Sequence, residues 1–263
     1  MKPWCFMAAL VLSAALLSAQ DASASVDAAS IVDASRNRIQ ADTVSTRSRM
    51  VITAKDGSTT ERLLDQYSKD DPQGNNRIII VFQRPPSVAG TRFLTIAKTG
   101  GADDRWIFLP SLGKVRRVAG SEGSGSFVGT DLSYDDVSST SRDVNQDNHR
   151  LLREEALNGS ACYVIESIPK DSGYQYSKMV QWINKSTSVT HQIELYDKKG
   201  TLVKRLEIQS LKDIQGRLTP MLTKMTTLTT GTSTTISVDI MKYDDPIPEA
   251  VFTTQYLETG RAR

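Results

Sequence analysis

The sequence predicts a large antiparallel β-sheet protein with few helices, and three observations carry that expectation. From Thr46 onward at least ten short extended runs follow one another in series. The links between them are of hairpin length and hold the Gly, Asn and Asp that tight turns need. No strand–helix–strand alternation of the nucleotide-binding α/β kind interrupts them.

The first residues read as an address rather than as fold. Lys2 supplies a positive start, residues 6–17 form an apolar run, and small residues lead to Ala22-Ser23-Ala24. That order is the charge, apolar core and small-residue site of a secretory signal peptide. The run is about a dozen residues, where a spanning helix needs roughly 20. Cleavage is expected before Ser25, with cuts near Ala19 or Gln20, or retention as an anchor, as alternatives. Cys5 precedes the apolar run, so it does not stand where a lipoprotein's acylated cysteine would. Of the two cysteines only Cys162 follows the cut, which leaves no intrachain disulfide. Residues 25–263 are then expected as one domain.

Residues 25–40 open that domain as a helix. Ser25 can cap it, Asp27 suits the positive end of its dipole, and Ala28, Val32, Ser35 and Ile39 form a narrow face of small residues able to lie on a sheet. Extended alternation follows at Met50, Ile52 and Ala54, and Asp56-Gly57 reads as a type I′ hairpin turn. The return runs through residues 62–67. Residues 77–83 form a dense β-branched run stopped by Pro85-Pro86, and residues 91–97 and 105–109 read as the next strands. Asn158-Gly159, Gly200 and Thr230-Gly231-Thr232 then separate further strand pairs. Residues 119–141 break the pattern. More than 20 residues without a strand period mark a lid or covering segment, here expected over one face of the sheet.

Several strands are apolar on both faces. Ile78, Ile80 and Phe82 oppose Ile79 and Val81; Trp106 and Phe108 oppose Ile107 and Leu109; Val180 and Trp182 oppose Met179 and Ile183. Such strands need cover on both sides. Core packing and a ligand pocket are equally good cover, since burial is worth roughly 25 cal/mol per Å² in either. Met179, Met221, Met225 and Met241 can adapt to variable chains or fill core gaps.

Charge and motifs exclude more than they assign. The net charge is +2, and no dense basic run supports nucleic acid as a partner. The nearest hydrolase-like stretch is Ala119-Gly120-Ser121-Glu122-Gly123. It has Ala119 where a nucleophile elbow needs glycine, and a base would have to be His149 or His191. The Gly-rich segment lacks the Gly-Lys-Ser/Thr end of a P-loop. Asp131, Asp135 and Asp136 do not have calcium-loop spacing, and no Cys–His cluster has zinc spacing. Neither a metal nor another cofactor is expected. Arg116-Arg117 can meet an acidic partner or pair with the Asp135-Asp136 segment.

Three stretches together carry a resemblance. Asp104-Arg105-Trp106-Ile107-Phe108-Leu109-Pro110, Lys114-Val115-Arg116-Arg117 and the run from Ser126-Phe127-Val128-Gly129-Thr130 to Asp131-Leu132-Ser133-Tyr134-Asp135-Asp136 resemble the outer-membrane lipoprotein-sorting protein family, the LolA-like periplasmic carriers. Gly90-Thr91-Arg92-Phe93-Leu94, Cys162-Tyr163-Val164-Ile165-Glu166, Tyr196-Asp197-Lys198-Lys199-Gly200 and the closing Ile247-Pro248-Glu249-Ala250-Val251-Phe252-Thr253 extend it, in order, over roughly residues 45–258. Phe108 stands where the family often has tyrosine, and Val128 where it often has methionine. The resemblance implies an unclosed antiparallel β-barrel with a helical lid or plug around a hydrophobic cavity. It implies a monomeric, non-enzymatic periplasmic carrier for the acyl chains of lipoproteins or for lipids. It also implies an inner-membrane transporter and an outer-membrane acceptor as partners. Phe93, Trp106, Phe108, Phe127, Tyr134, Met179 and Trp182 are the residues expected to line the cavity. The alternatives are a lipid ester hydrolase using Ser121 and a non-catalytic envelope scaffold.

Overall fold

A computed structural model describes residues 27–98, 101, 103–138 and 142–262. The signal-peptide reading and the Ser25 cap lie outside them. The helix α1 (Ala28–Arg36) is capped by Asp27, whose carboxylate accepts from the N–H groups of Ala29 and Ser30. It is shorter than the predicted 25–40, ending with the Asn37 N–H bonded to the Asp33 carbonyl. Beyond that point Arg38 donates to the Leu218 carbonyl, a tertiary contact that the continuing helical period does not anticipate.

Thirteen strands among the described residues form one antiparallel sheet. β1 (Thr43–Thr53), β2 (Thr59–Asp70), β3 (Asn76–Arg84), β4 (Arg92–Ile96), β5 (Asp104–Leu109) and β6 (Lys114–Arg117) make one meander. β7 (Asp147–Leu157), β8 (Ser160–Pro169), β9 (Lys178–Asn184), β10 (Thr190–Tyr196), β11 (Leu202–Ile214), β12 (Arg217–Thr227) and β13 (Thr232–Tyr243) make a second. The two join where β13 pairs with β1. β6 and β7 are the two edges and do not pair with each other, so the barrel is unclosed, as the sequence predicts.

The turns explain the strand lengths. Asn158-Gly159 and Gln215-Gly216 each place both residues at positive φ, which is the type I′ geometry that lets strands pair up to the turn. The second of these hairpins escapes the sequence reading, because Gln carries no turn signature. The Asp56-Gly57 turn is different from the predicted type I′. Only Gly57 has positive φ; its N–H and that of Ala54 close a longer loop onto the Ala54 and Ser58 carbonyls.

Strand parity sends side chains to two faces. The inner face carries the described residues of the 118–146 segment, which joins β6 to β7 in the chain. Along it Phe127, Leu132 and Tyr134 join Ile78, Ile80, Phe82, Phe93 and Ile107 in one buried cluster. The segment includes the helix α2 (Tyr134–Ser138). α1 covers another part of this face, placing Ala28 and Val32 on Ile165 and Ile183. The outer face of β3–β6 is closed by a turn at Glu249–Phe252 and the helix α3 (Thr254–Thr259), which bury Ile79, Val81 and Leu94.

Candidate functional site

Between the sheet and the 118–146 segment lies a hollow of about 460 Å³, within the range of about 300–1,000 Å³ usual for small-molecule sites. Its walls are mostly apolar: Met50 and Leu64 from β1 and β2, Met179 and Leu195 from β9 and β10, and Met225 from β12. Phe127 and Leu132 of the covering segment close it from above. The hollow exists because the segment's bulky side chains descend over β3 and β4. Phe127 sits with its ring centroid 5.8 Å from Phe82, 5.2 Å from Phe93 and 5.7 Å from Tyr134. That end is filled with rings; the space towards β9–β12 is not.

Polar bonds hold the segment to both halves of the sheet. On the first meander Arg62 donates to the Val128 carbonyl at 2.5 Å, and Arg105 pairs with Asp135 at 2.6 Å. On the second, the buried Asp131 carboxylate accepts from Thr227 at 2.7 Å, Thr234 at 2.7 Å and Thr232. Asp136 accepts from Tyr176 at 2.8 Å and from Lys204 at 2.9 Å. Burial, and then the Asp136 charge, push the Tyr176 phenol far above its ordinary value, so it stays a donor to that carboxylate. Gly123 serves a close approach: a Cβ there would stand 2.3 Å from Asp135 Oδ1.

A second hollow of about 770 Å³, polar in its walls, shares Arg36, Ile39, Gln66 and Arg142 with the apolar one. Those four side chains mark the junction, which we call the mouth. Asp147, buried, accepts there from Arg142 at 2.6 Å and pairs with Arg36 at 3.5 Å. The Arg142 guanidinium lies 4.2 Å from the Tyr174 ring. Arg38 also lines the apolar hollow.

The structure divides the seven residues expected to line a cavity. Phe127 and Met179 line the apolar hollow. Phe93 and Tyr134 lie behind it in the ring cluster. Trp106, Phe108 and Trp182 stand on the outer face by strand parity. Trp106 and Phe108 pack with the cluster under α3, and Trp182 packs with Cys162, Val164 and Val180, its indole donating to Glu155. Sequence reasoning missed Arg36, Arg38 and Arg142. It also missed Gln66 and Gln181, whose signal was legible: each occupies an inward register position beside apolar neighbours, Leu64 for one and Met179 and Ile183 for the other.

The other candidates resolve into ordinary partners. Ser121 is exposed in a short 3₁₀ turn. His149 lies near the start of β7, bonded to Ser167 at 2.8 Å and the Val144 carbonyl at 2.9 Å. His191 Nε2 meets Asn184 at 3.3 Å, and burial pushes its imidazole below the ordinary value. Arg116 pairs with Glu122 and Arg117 with Asp104, not with the Asp135-Asp136 segment. Asp131, Asp135 and Asp136 face three separate sets of partners. Among the described residues no group of His, Cys, Asp or Glu is disposed to hold a metal, and no helix is long and apolar enough to cross a membrane.

An unclosed antiparallel sheet plugged on its inner face defines a LolA-like fold. A LolA superfamily protein from Nitrosomonas europaea superposes with a TM-score of 0.70 at 23% identity, over 88% of this chain and 99% of that one. An outer membrane lipoprotein-sorting protein domain from Vibrio parahaemolyticus reaches a TM-score of 0.83 at 27% identity, over 88% of this chain and 98% of that one. A DUF1329 family protein from Desulfovibrio piger reaches 0.83 at 30% identity, over 88% of this chain and 97% of that one. A family model described as that of an uncharacterized protein matches residues 74–259. The chain belongs to the DUF1329 family. No curated protein matches it.

Proposed function

We propose that this chain is a periplasmic carrier that shields an acyl chain of a lipid or lipoprotein in the apolar hollow during transfer toward the outer membrane. The observation that carries the reading is the unfilled apolar space beneath the covering segment. Close packing is the rule in protein interiors, so an apolar hollow of about 460 Å³ is an exception that a guest would relieve. A water's share of liquid volume is about 30 Å³, and a methylene is of similar size. The hollow thus takes on the order of fifteen such groups, close to one chain rather than two or three. Each methylene moved out of water contributes about 0.8 kcal/mol.

In this reading residues 1–24 are a signal peptide that delivers the domain of residues 25–263 to the periplasm, where it works as a monomer without catalysis. A membrane transporter supplies the cargo and an outer-membrane acceptor receives it. The sorting-protein domain from Vibrio parahaemolyticus supports that direction by its likeness. The test is native mass spectrometry and organic extraction of protein purified from its own host, with displacement of a fluorescent fatty acid. Co-purified acyl lipid and saturable displacement are expected. Protein that arrives empty and binds no fatty acid ends the proposal.

A further inference from the structure

Three arginines line the apolar hollow, Arg36, Arg38 and Arg142, and among the described residues two of the three are matched by a carboxylate. Arg36 and Arg142 share Asp147. Lys204 has Asp136, and Arg105 has Asp135 with Asp103 at 3.8 Å. Arg38 has none among the described residues. It lines the apolar hollow, and its one hydrogen bond there is donated by Nη1 to the Leu218 carbonyl at 2.5 Å. A guanidinium carries five N–H donors in a fixed fork. One half out of water with a single neutral acceptor keeps donors free for an anion. Burial pushes the Arg38 guanidinium below its ordinary value.

Position supports the same conclusion. Arg38 directly precedes Ile39, which stands at the mouth between the apolar and polar hollows. A head group held at this end leaves the apolar walls to the chain behind it. Oxyanions on a tetrahedral or planar centre match an arginine fork in two parallel bonds.

We propose that Arg38 receives the anionic head of the molecule whose chain occupies the hollow, so that the cargo is an acidic amphiphile bearing a carboxylate or phosphate on an acyl chain. This rests on the carrier reading above and narrows it, since a neutral acylated head would leave Arg38 without an anion.

The intact domain, as wild type, Arg38→Gln and Arg38→Lys, is titrated with palmitate, hexadecyl phosphate and hexadecanol. Wild type is expected to bind one or both anions more tightly than the alcohol, and the better anion identifies the source of the oxyanion. Arg38→Gln is expected to weaken anion binding about tenfold, the equivalent of about 1.4 kcal/mol, and to leave hexadecanol unchanged. Arg38→Lys restores part of the loss, because the charge returns without the fork. Equal affinity of wild type for alcohol and anions overturns the assignment while the carrier reading stands. So does an Arg38→Gln variant that loses all three ligands equally, or none. Binding of none of the three by wild type removes both.

Discussion

The two faces of the sheet are built from the same strands, yet they are covered in different ways. On the outer face, Ile79, Val81 and Leu94 are buried in one cluster with Phe252 and Leu257. On the inner face Phe127, Leu132 and Tyr134 fill only the part over β3–β5, while Met179, Leu195 and Met225 border the hollow. The difference lies in the covering segments. The C-terminal one presents large side chains directly above the strands it crosses. The 118–146 segment is held at both ends by polar bonds and sends its rings down at one side alone. Apolar pattern thus tells which strands need cover, not how completely the cover fills.

Truncation is the strongest way to break this comparison. Phe93→Ala removes a ring packed against Phe127 and Tyr134, behind the hollow, and is expected to cost about 3–5 kcal/mol in denaturant unfolding. Met225→Ala, equally buried but beside the hollow, is expected near the lower end for such changes, about 2 kcal/mol, because its side chain lacks neighbours on one side. Equal losses at the two positions mean the inner face is packed throughout.

Next comes the anchoring of the segment. Gly123→Ala sets a methyl against the Asp135 carboxylate and is expected to cost about 1–3 kcal/mol. Reduced protection of the backbone amides of residues 123–138 in hydrogen exchange locates the damage. If the melting temperature is unchanged, the Arg105–Asp135 contact does not hold the segment.

Enlargement gives a smaller effect with opposite outcomes on the two faces. Val164→Phe on the outer face overpacks a filled layer and is expected to cost about 1–3 kcal/mol. Leu195→Phe enters the hollow and is expected to change stability by less than about 1.5 kcal/mol, while fatty-acid binding falls sharply. A Leu195→Phe protein that binds as wild type does places the guest elsewhere.

The smallest effect concerns pH and belongs to the outer face. The Glu166 carboxylate is held below its ordinary range, first by its hydrogen bond from Arg150 and then by Lys178, against the opposing effect of burial. A depressed folded value contributes stability above the unfolded pKa and loses it as pH falls through the folded one. Glu166→Gln is therefore expected to be slightly less stable than wild type at neutral pH, with the gap closing below about pH 4. A gap that widens in acid reverses the sign of the argument.

Much of the fold was legible because strand period and turn chemistry are local. The doubly apolar runs at Ile78–Phe82 and around Trp106 do lie in strands covered on both faces, and the Gly- and Ser-rich stretch does cover one of them. Which parity faces the cover was not legible. Trp106, Phe108 and Trp182 are the obvious choices by size, but the inward neighbours are Ile107, Gln181 and Ile183, and the parity that faces inward shows only in the packing against distant segments. The mouth escaped for another reason. Arg36, Arg38 and Arg142 sit in polar stretches whose sequence looks like solvated surface; Arg36 and Arg142 meet on Asp147, more than a hundred residues from Arg36, and Arg38 is placed by the likewise distant Leu218 carbonyl.

Because β6 and β7 are not laddered together, no row of backbone hydrogen bonds sets the distance between the sheet's two margins. The only covalent tether spanning that gap is the stretch of chain from Val118 to Gln146, fastened along its way to both halves. Lengthening or shortening that stretch is the most direct way evolution or a designer can resize what lies beneath it, with every strand left untouched.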